Sequence, residues 1–231
     1  MKRVYNTVGT RQQAGAWQVT LDGRGLKTVR GADQRVPTQA LAKALSAEWD
    51  IEGEELNPGA FPLRDMADYA IDVVVHQRAE VAHGLVAYAD TDTLLYRADP
   101  EEPLYQRQRD VWEPIVTAFE EKHGVALRRV SGVVHAQQDE AALATIRAAL
   151  TRFDPFALAG LEAMTRLAAS LTIGLSALDA EADPAALWRA ACLEEEWQAD
   201  HWGRDDDAEE RRIKRRDDFL RACEFARLSQ R

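Results

Sequence analysis

The chain has 231 residues, 46% of them hydrophobic and 29% charged, with a formal net charge of −10 and a pI near 5.1. This supplies core for one domain or two modest ones and excludes disorder along the whole chain. So acidic a chain lacks the basic face that nucleic acids need, and its charge disfavours anionic membrane surfaces. No apolar run approaches the roughly 18 to 20 residues that span a bilayer, and MKRVYNTVGTRQQ lacks the apolar stretch of a secretory signal. Cys192 and Cys223 are the only cysteines, which suits a reducing compartment without a disulfide framework. A bacterial cytoplasm is the first expectation, and a processed mitochondrial matrix protein the second.

Taken in order, the first sixty or so residues read as β-rich. Trp17, Val19 and Leu21 alternate with polar residues at the period of a half-buried strand. Asp22-Gly23-Arg24-Gly25 offers a tight turn, and Leu26 to Val29 can return as a second strand. Thr38 is a candidate N-cap for a helix whose apolar face is Leu41, Leu45 and Trp49. Asn57-Pro58-Gly59 is the clearest punctuation, and a domain boundary is placed there. Residues 1–58 form a small N-terminal α+β domain, and 59–231 a mainly α-helical one.

Beyond that point the pattern is helical. Between Leu63 and Tyr88, Ala67, Ala70, Ile71, Val74, Val75, Val81 and Leu85 recur at intervals of three and four. Leu104, Val111, Trp112, Ile115 and Phe119 share a face, with Pro114 expected to kink or restart their helix. Val125 to Val134 is β-branched and reads as one more strand, able to rejoin the N-terminal sheet. Asp139 to Thr151 is amphipathic. Phe156 to Leu178 is apolar on nearly every side, broken by Arg166 and Gly174, as befits the centre of a helical bundle. Asp183-Pro184 opens a last apolar helix. The fold class is α+β, with a small antiparallel N-terminal part and a larger helical bundle.

Catalytic signatures are missing. The chain has no GxxxxGK[ST], no GxGxxG after a strand, no GxSxG and no HExxH. Gly23-Arg24-Gly25 lies between strands and reads as a hairpin turn. His76 and His83 share a helix face but stand too far apart for one metal ion without help from another element. Asp205-Asp206-Asp207 lacks EF-hand spacing. Asp207 with Arg211, and Glu210 with Lys214, can neutralise each other at i,i+4 along a helix. No cofactor, metal or small-molecule substrate is expected.

The run LEEEWQADHWG, Leu193 to Gly203, stands apart. Trp188, Cys192, Ala199 and Trp202 fall on one helical stripe, and Glu195 completes it. A carboxylate buried unpaired on such a stripe would cost several kcal/mol. Either Glu195 pairs with an arginine and the tryptophans are core, or this face meets a partner. Acids beside tryptophans suit the second reading.

The same run resembles the C-terminal signature L-[DE]-E-E-[YFW]-Q-x-x-x-W-G of the ATP12 family, assembly chaperones for the α subunit of F-type ATP synthase. Leu21-Asp22-Gly23-Arg24 with Leu26-Lys27-Thr28 is similar to that family's hairpin, with Val29 in place of a proline. Val36-Pro37-Thr38, Ala47-Glu48-Trp49-Asp50, Ala70-Ile71-Asp72 and Tyr96-Arg97-Ala98 match further family elements in the same order. The resemblance implies a non-enzymatic chaperone that holds the unassembled α subunit in solution until it pairs with β. It also points to Glu194, Glu195 and Glu196, with Trp197, Gln198 and Trp202 beside them, as partner-binding residues. The wheel favours Glu195. Two rivals remain at this stage: a hydrolytic enzyme using paired carboxylates, and a permanent structural subunit of a complex.

Overall fold

The computed structural model describes residues 2–51, 53, 55, 57–132 and 134–230. The chain divides into two compact units, Met1–Arg78 with Asp154–Gly160 and Glu224–Arg231, and Ala79–Phe153 with Leu161–Cys223.

The first unit is built on strand β2 (Ala16–Leu21). It pairs antiparallel with β1 (Val8–Gln13), in the register Val8↔Leu21 to Gln13↔Ala16. It also pairs with β3 (Arg24–Gly25) and β4 (Arg35–Val36). Strand β1 went unread because its polar VGTRQQ has no alternation. Its last three residues are exposed, so no apolar face is there to show a period. At the expected turn, Asp22 and Gly23 have φ of 49° and 76°, the left-handed pair a type I′ hairpin requires. The Asp22 carboxylate accepts from Asn6 N at 3.0 Å and Thr7 N at 2.9 Å, which fixes the turn. The return strand is shorter than expected. Past Gly25 the buried Gln18 side chain takes over, donating to Leu26 O at 2.8 Å.

Helix α1 (Gln39–Trp49) starts where the cap was read, with Thr38 Oγ1 accepting from Leu41 N at 3.1 Å. Leu41, Leu45 and Trp49 are buried. Trp49 lies 4.6 Å from the Phe61 ring, and Tyr5 donates its hydroxyl to Trp49 O at 2.6 Å. The Glu48 carboxylate accepts from Leu63 N at 2.7 Å and Arg64 N at 2.9 Å, capping α2 (Pro62–Tyr69) from outside. These ties cross Asn57-Pro58-Gly59, which lies inside the first unit as a single 3-10 turn. After α2 the helix widens into a π turn over Ala70–Val74, Val75 N reaching Ala70 O at 3.0 Å. Asp68 and Asp72 accept from Gln34 and Thr28 at 2.6 and 2.8 Å, so this helix holds the loop between β3 and β4.

The second unit holds α3 (Arg78–Asp90), which begins at its border, then β5 (Tyr96–Arg97), α4 (Pro103–His123) and β6 (Val130–Ser131). Next come α5 (Glu140–Leu150), α6 (Pro155–Ala168) and α7 (Leu171–Ala177). Helices α8 (Pro184–Ala191), α9 (Leu193–Trp202) and α10 (Asp206–Ser229) complete the chain. The first residues of α6 and the last of α10 belong to the first unit.

Three expectations are corrected here. Helix α4 does not restart at Pro114 but runs through it as one element. Its opposite face is anchored by buried Trp112, Val116 and Phe119, and Trp112 Nε1 donates to Ala190 O at 2.7 Å. The segment after α4 does not join the N-terminal sheet. Its strand β6 pairs parallel with β5, Tyr96↔Val130 and Arg97↔Ser131. Arg129 holds it there, bonding Glu113 at 2.7 Å and Glu120 at 3.0 Å on α4. Val133 of that segment lies outside the described residues. Finally, the apolar stretch from Phe156 breaks at Ala169, whose φ is 48°, and Ser170 caps α7 through Ile173 N. Gly174 is instead a point of close packing, since a Cβ there would lie 2.6 Å from Thr165 Oγ1.

Candidate functional site

The run from Leu193 is helix α9, and the stripe read from Trp188 to Trp202 spans two helices. Cys192, with φ −89° and ψ 9°, ends α8 and precedes α9. A stripe extrapolated across that break is displaced, which is why the wheel misassigned Glu195. Trp188, Cys192 and Leu193 are indeed buried, with Trp188 5.3 Å from the Phe219 ring. Glu195, however, faces outward, its side chain 52% exposed, and forks onto Arg215 at 3.1 and 2.5 Å. It is therefore no buried anomaly.

The inward carboxylate is Glu194. It accepts from Gln108 Nε2 at 2.6 Å, while Gln108 Oε1 accepts from Ala98 N at 2.8 Å. Burial raises the Glu194 carboxyl above its ordinary value of 4.5, partly offset by the Gln108 bond. Glu196 meets Arg212 at 3.0 Å, and Arg212 also holds Glu209 at 2.7 Å. The three glutamates thus have three separate partners.

Trp197 is half-buried under the Arg107 guanidinium, 5.7 Å from its ring centre, and packs on His201 at 4.3 Å. Gln198 is exposed, and Trp202 is 79% exposed at the end of α9. Gly203 then turns the chain with φ 96°, and a hollow of about 320 Å³ opens beside Ala199, Trp202, Ala208 and Arg212. Sequence reasoning missed Arg212, Arg215, Gln108 and Arg107. The expected i,i+4 pairs Asp207–Arg211 and Glu210–Lys214 are not formed among the described residues. The neighbouring arginines of the RRIKRR run cross to α9 instead. Only the density of cations in that run hinted at such partners.

The acidity of the chain is local. In the first unit basic and acidic residues are equal in number, so the whole net charge of −10 belongs to the second. Both cysteines are free and buried, and burial pushes the Cys192 thiol up to about 12, which leaves it unreactive. No group of three His, Cys, Asp or Glu residues among the described ones is placed to hold a metal ion. Nor, among the described residues, is any helix long and apolar enough to cross a membrane.

Substituting Glu194 with Gln tests its burial. A carboxyl whose pKa is raised by folding adds stability below its unfolded value, and loses it as pH rises through the folded value. Glu194→Gln keeps an acceptor for Gln108 and removes that loss. Its melting temperature should match or exceed that of the parent at pH 7, with the advantage shrinking toward pH 4.5. A parallel pair of melting curves across that range would disprove the assignment.

This architecture, a small antiparallel sheet and a helix-rich unit, is that of a known class of chaperones. The crystal structure of Atp12 from Paracoccus denitrificans matches with a TM-score of 0.94 and 34% identity, over 99% of this chain and 98% of that one. The Atu1473 protein of Agrobacterium tumefaciens matches with a TM-score of 0.91 and 33% identity, over 99% and 85% of the two chains. Mitochondrial protein atp12 of Schizosaccharomyces pombe is 26% identical over 221 residues, 90% of this chain and 76% of that protein. The family model described as ATP12 chaperone protein matches residues 2–120. The chain belongs to the ATP12 chaperone family.

Proposed function

We propose that this chaperone binds the unassembled α subunit of F-type ATP synthase and keeps it soluble until β takes its place. The observation that carries this reading is the likeness to Atp12 of Paracoccus denitrificans over 99% of the chain, with the family model matching residues 2–120. An unpartnered subunit exposes surface that its assembled state buries, and such surface aggregates. A protein that covers it and later yields needs reversible affinity rather than chemistry. The role is therefore binding, not catalysis, in the bacterial cytoplasm or, for a eukaryotic source, the mitochondrial matrix.

Within the site we assign direct contact to the exposed residues Glu195, Gln198 and Trp202. Glu194, Glu196 and Trp197 hold α9 in place through Gln108, Arg212 and Arg107. The test is light scattering by dilute α subunit. A stoichiometric excess of this protein should suppress it, and unchanged scattering would sink the reading. Capture of separated α but not β subunit distinguishes a transient holder of α from a permanent subunit of the complex.

Charge exchange separates contact from scaffolding. Glu195→Lys should abolish protection while leaving the cooperative melt intact, since an exposed ion pair contributes only about 0 to 1 kcal/mol. Adding Arg215→Glu restores the ion pair in reverse. If Glu195 touches the client, the double variant stays inactive. Recovery of protection would mean that only the ion pair matters.

A further inference from the structure

The second unit contains an apolar groove of about 480 Å³ between α4, the α7–α8 turn and α8. Helix α4 has two apolar stripes. Trp112, Val116 and Phe119 are buried in the core, whereas Val111, Ile115 and Ala118 run along the groove, with Val111 37% exposed and Ala118 exposed. One stripe suffices to pack a helix, so the second is surface that the fold itself does not require. Ala186 and Leu187 of α8 form the opposite wall. The small Ala118 and Ala186 leave room for another backbone. Both ends are tied, one by Trp112 Nε1 donating to Ala190 O at 2.7 Å, the other by the Lys122–Asp179 ion pair. From Val111 to Lys122 the helix rises about 16 Å, the length of roughly three turns of a second helix.

The lip of the groove is anionic. Asp179 and Asp183 line the groove, and the exposed Glu181 lies between them along the α7–α8 turn. Lys122 takes Asp179, Arg189 meets Asp183 only at 4.0 Å, and Glu181 pairs with no cation among the described residues. His123 packs 4.4 Å from the Phe119 ring, and burial, then Lys122, holds its pKa down, so it adds no cation at neutral pH. An apolar floor with an acidic lip, in the unit that carries all the net negative charge, complements an apolar segment ending in a cation.

We propose that this groove docks a short amphipathic helix of the client, its apolar stripe against α4 and α8 and a terminal arginine or lysine against Glu181 and Asp183. The proposal rests on the client-holding reading above.

The probe is a synthetic helical peptide of about twelve residues, enough for three turns, with a leucine stripe and C-terminal arginines. A control peptide carries glutamates in place of the arginines. Both are titrated calorimetrically into the full chain and into Ala118→Glu and Glu181→Lys. Both positions are exposed, so the variants should melt like the parent. The arginine peptide should bind the parent about tenfold more tightly than the glutamate peptide. Ala118→Glu should weaken it by about tenfold or more, as a carboxylate displaces apolar contact from the floor of the groove. Glu181→Lys should weaken the arginine peptide several-fold and spare the control. Equal affinity of the two peptides, or indifference to Ala118→Glu, overturns the proposal. So does a parent dimer that Ala118→Glu dissociates in sedimentation, since the groove would then seat a second copy of the chain. The α-subunit scattering assay runs alongside. Protection by both parent and Ala118→Glu would overturn the groove alone, whereas no protection by the parent would overturn the client reading itself.

Discussion

Truncating Trp112 to alanine is expected to lower the unfolding free energy by about 3 to 5 kcal/mol, the usual cost of deleting a large buried aromatic. Trp112 is fully buried midway along α4, and its indole bond to Ala190 O at 2.7 Å holds the end of α8 to α4. The variant therefore loses volume and leaves a buried carbonyl without its donor. For a chain of this size each kcal/mol moves the melting point by about 2 to 4 °C, so a fall of roughly 10 °C should be seen. Trp112→Phe divides the two contributions, since it keeps most of the ring and forfeits the hydrogen bond, for about 1 to 3 kcal/mol. A melting point within a degree or two of the parent for Trp112→Ala would show that α4 and α8 are held by something else.

The second large effect is expected at Asp92. This carboxylate is completely buried, yet it accepts from Leu94 N at 3.1 Å and Thr172 N at 2.8 Å. It joins the turn after α3 to the first turn of α7, where the chain has just passed the left-handed Ala169. Asp92→Ala orphans both amides in a site without water access and should cost about 3 to 5 kcal/mol. Asp92→Asn keeps the shape but sets an amide against one of the donors, for a smaller loss. Hydrogen exchange supplies the local readout, with the Leu94 and Thr172 amides losing protection ahead of α4. Burial also raises the Asp92 carboxyl, so its contribution to stability is greatest below its ordinary value of 3.8 and declines as pH rises through the folded value. In the parent the Ser170 hydroxyl, together with the two amides and the Thr172 hydroxyl, offsets that burial.

The features legible in the sequence are those decided within a few residues. Thr38 and Asp183 were readable as helix caps because each accepts from an amide two or three positions on. Asp22-Gly23 was readable because only certain residues accept positive φ at a hairpin. What stayed hidden was decided by distant partners. Nothing around Val130 says that Arg129 will reach Glu113 and Glu120, and so nothing says which sheet the strand joins. Strand β1 exposes its polar end and has no periodicity to read. Glu195 was misplaced by a single non-helical residue, Cys192, because a helical wheel carries any break forward to every later position. The family was still legible, since an ordered set of motifs does not depend on the rotation of a helix.

The division of the chain also bears on how the molecule is made. The first unit is not finished by the first residues to leave the ribosome. Thr38, which caps α1, donates its hydroxyl to Leu228 O, and the buried Phe225 packs 6.3 Å from Phe156 within the same unit. The N-terminal sheet and its helix must therefore wait, partly unsealed, through synthesis of nearly the whole chain, and they close only once residues 224–230 are free of the exit tunnel. The second unit can organise in that interval. This chaperone is itself a nascent chain with exposed surface until Phe225 has emerged, and premature termination anywhere before it would leave its earliest-made part open.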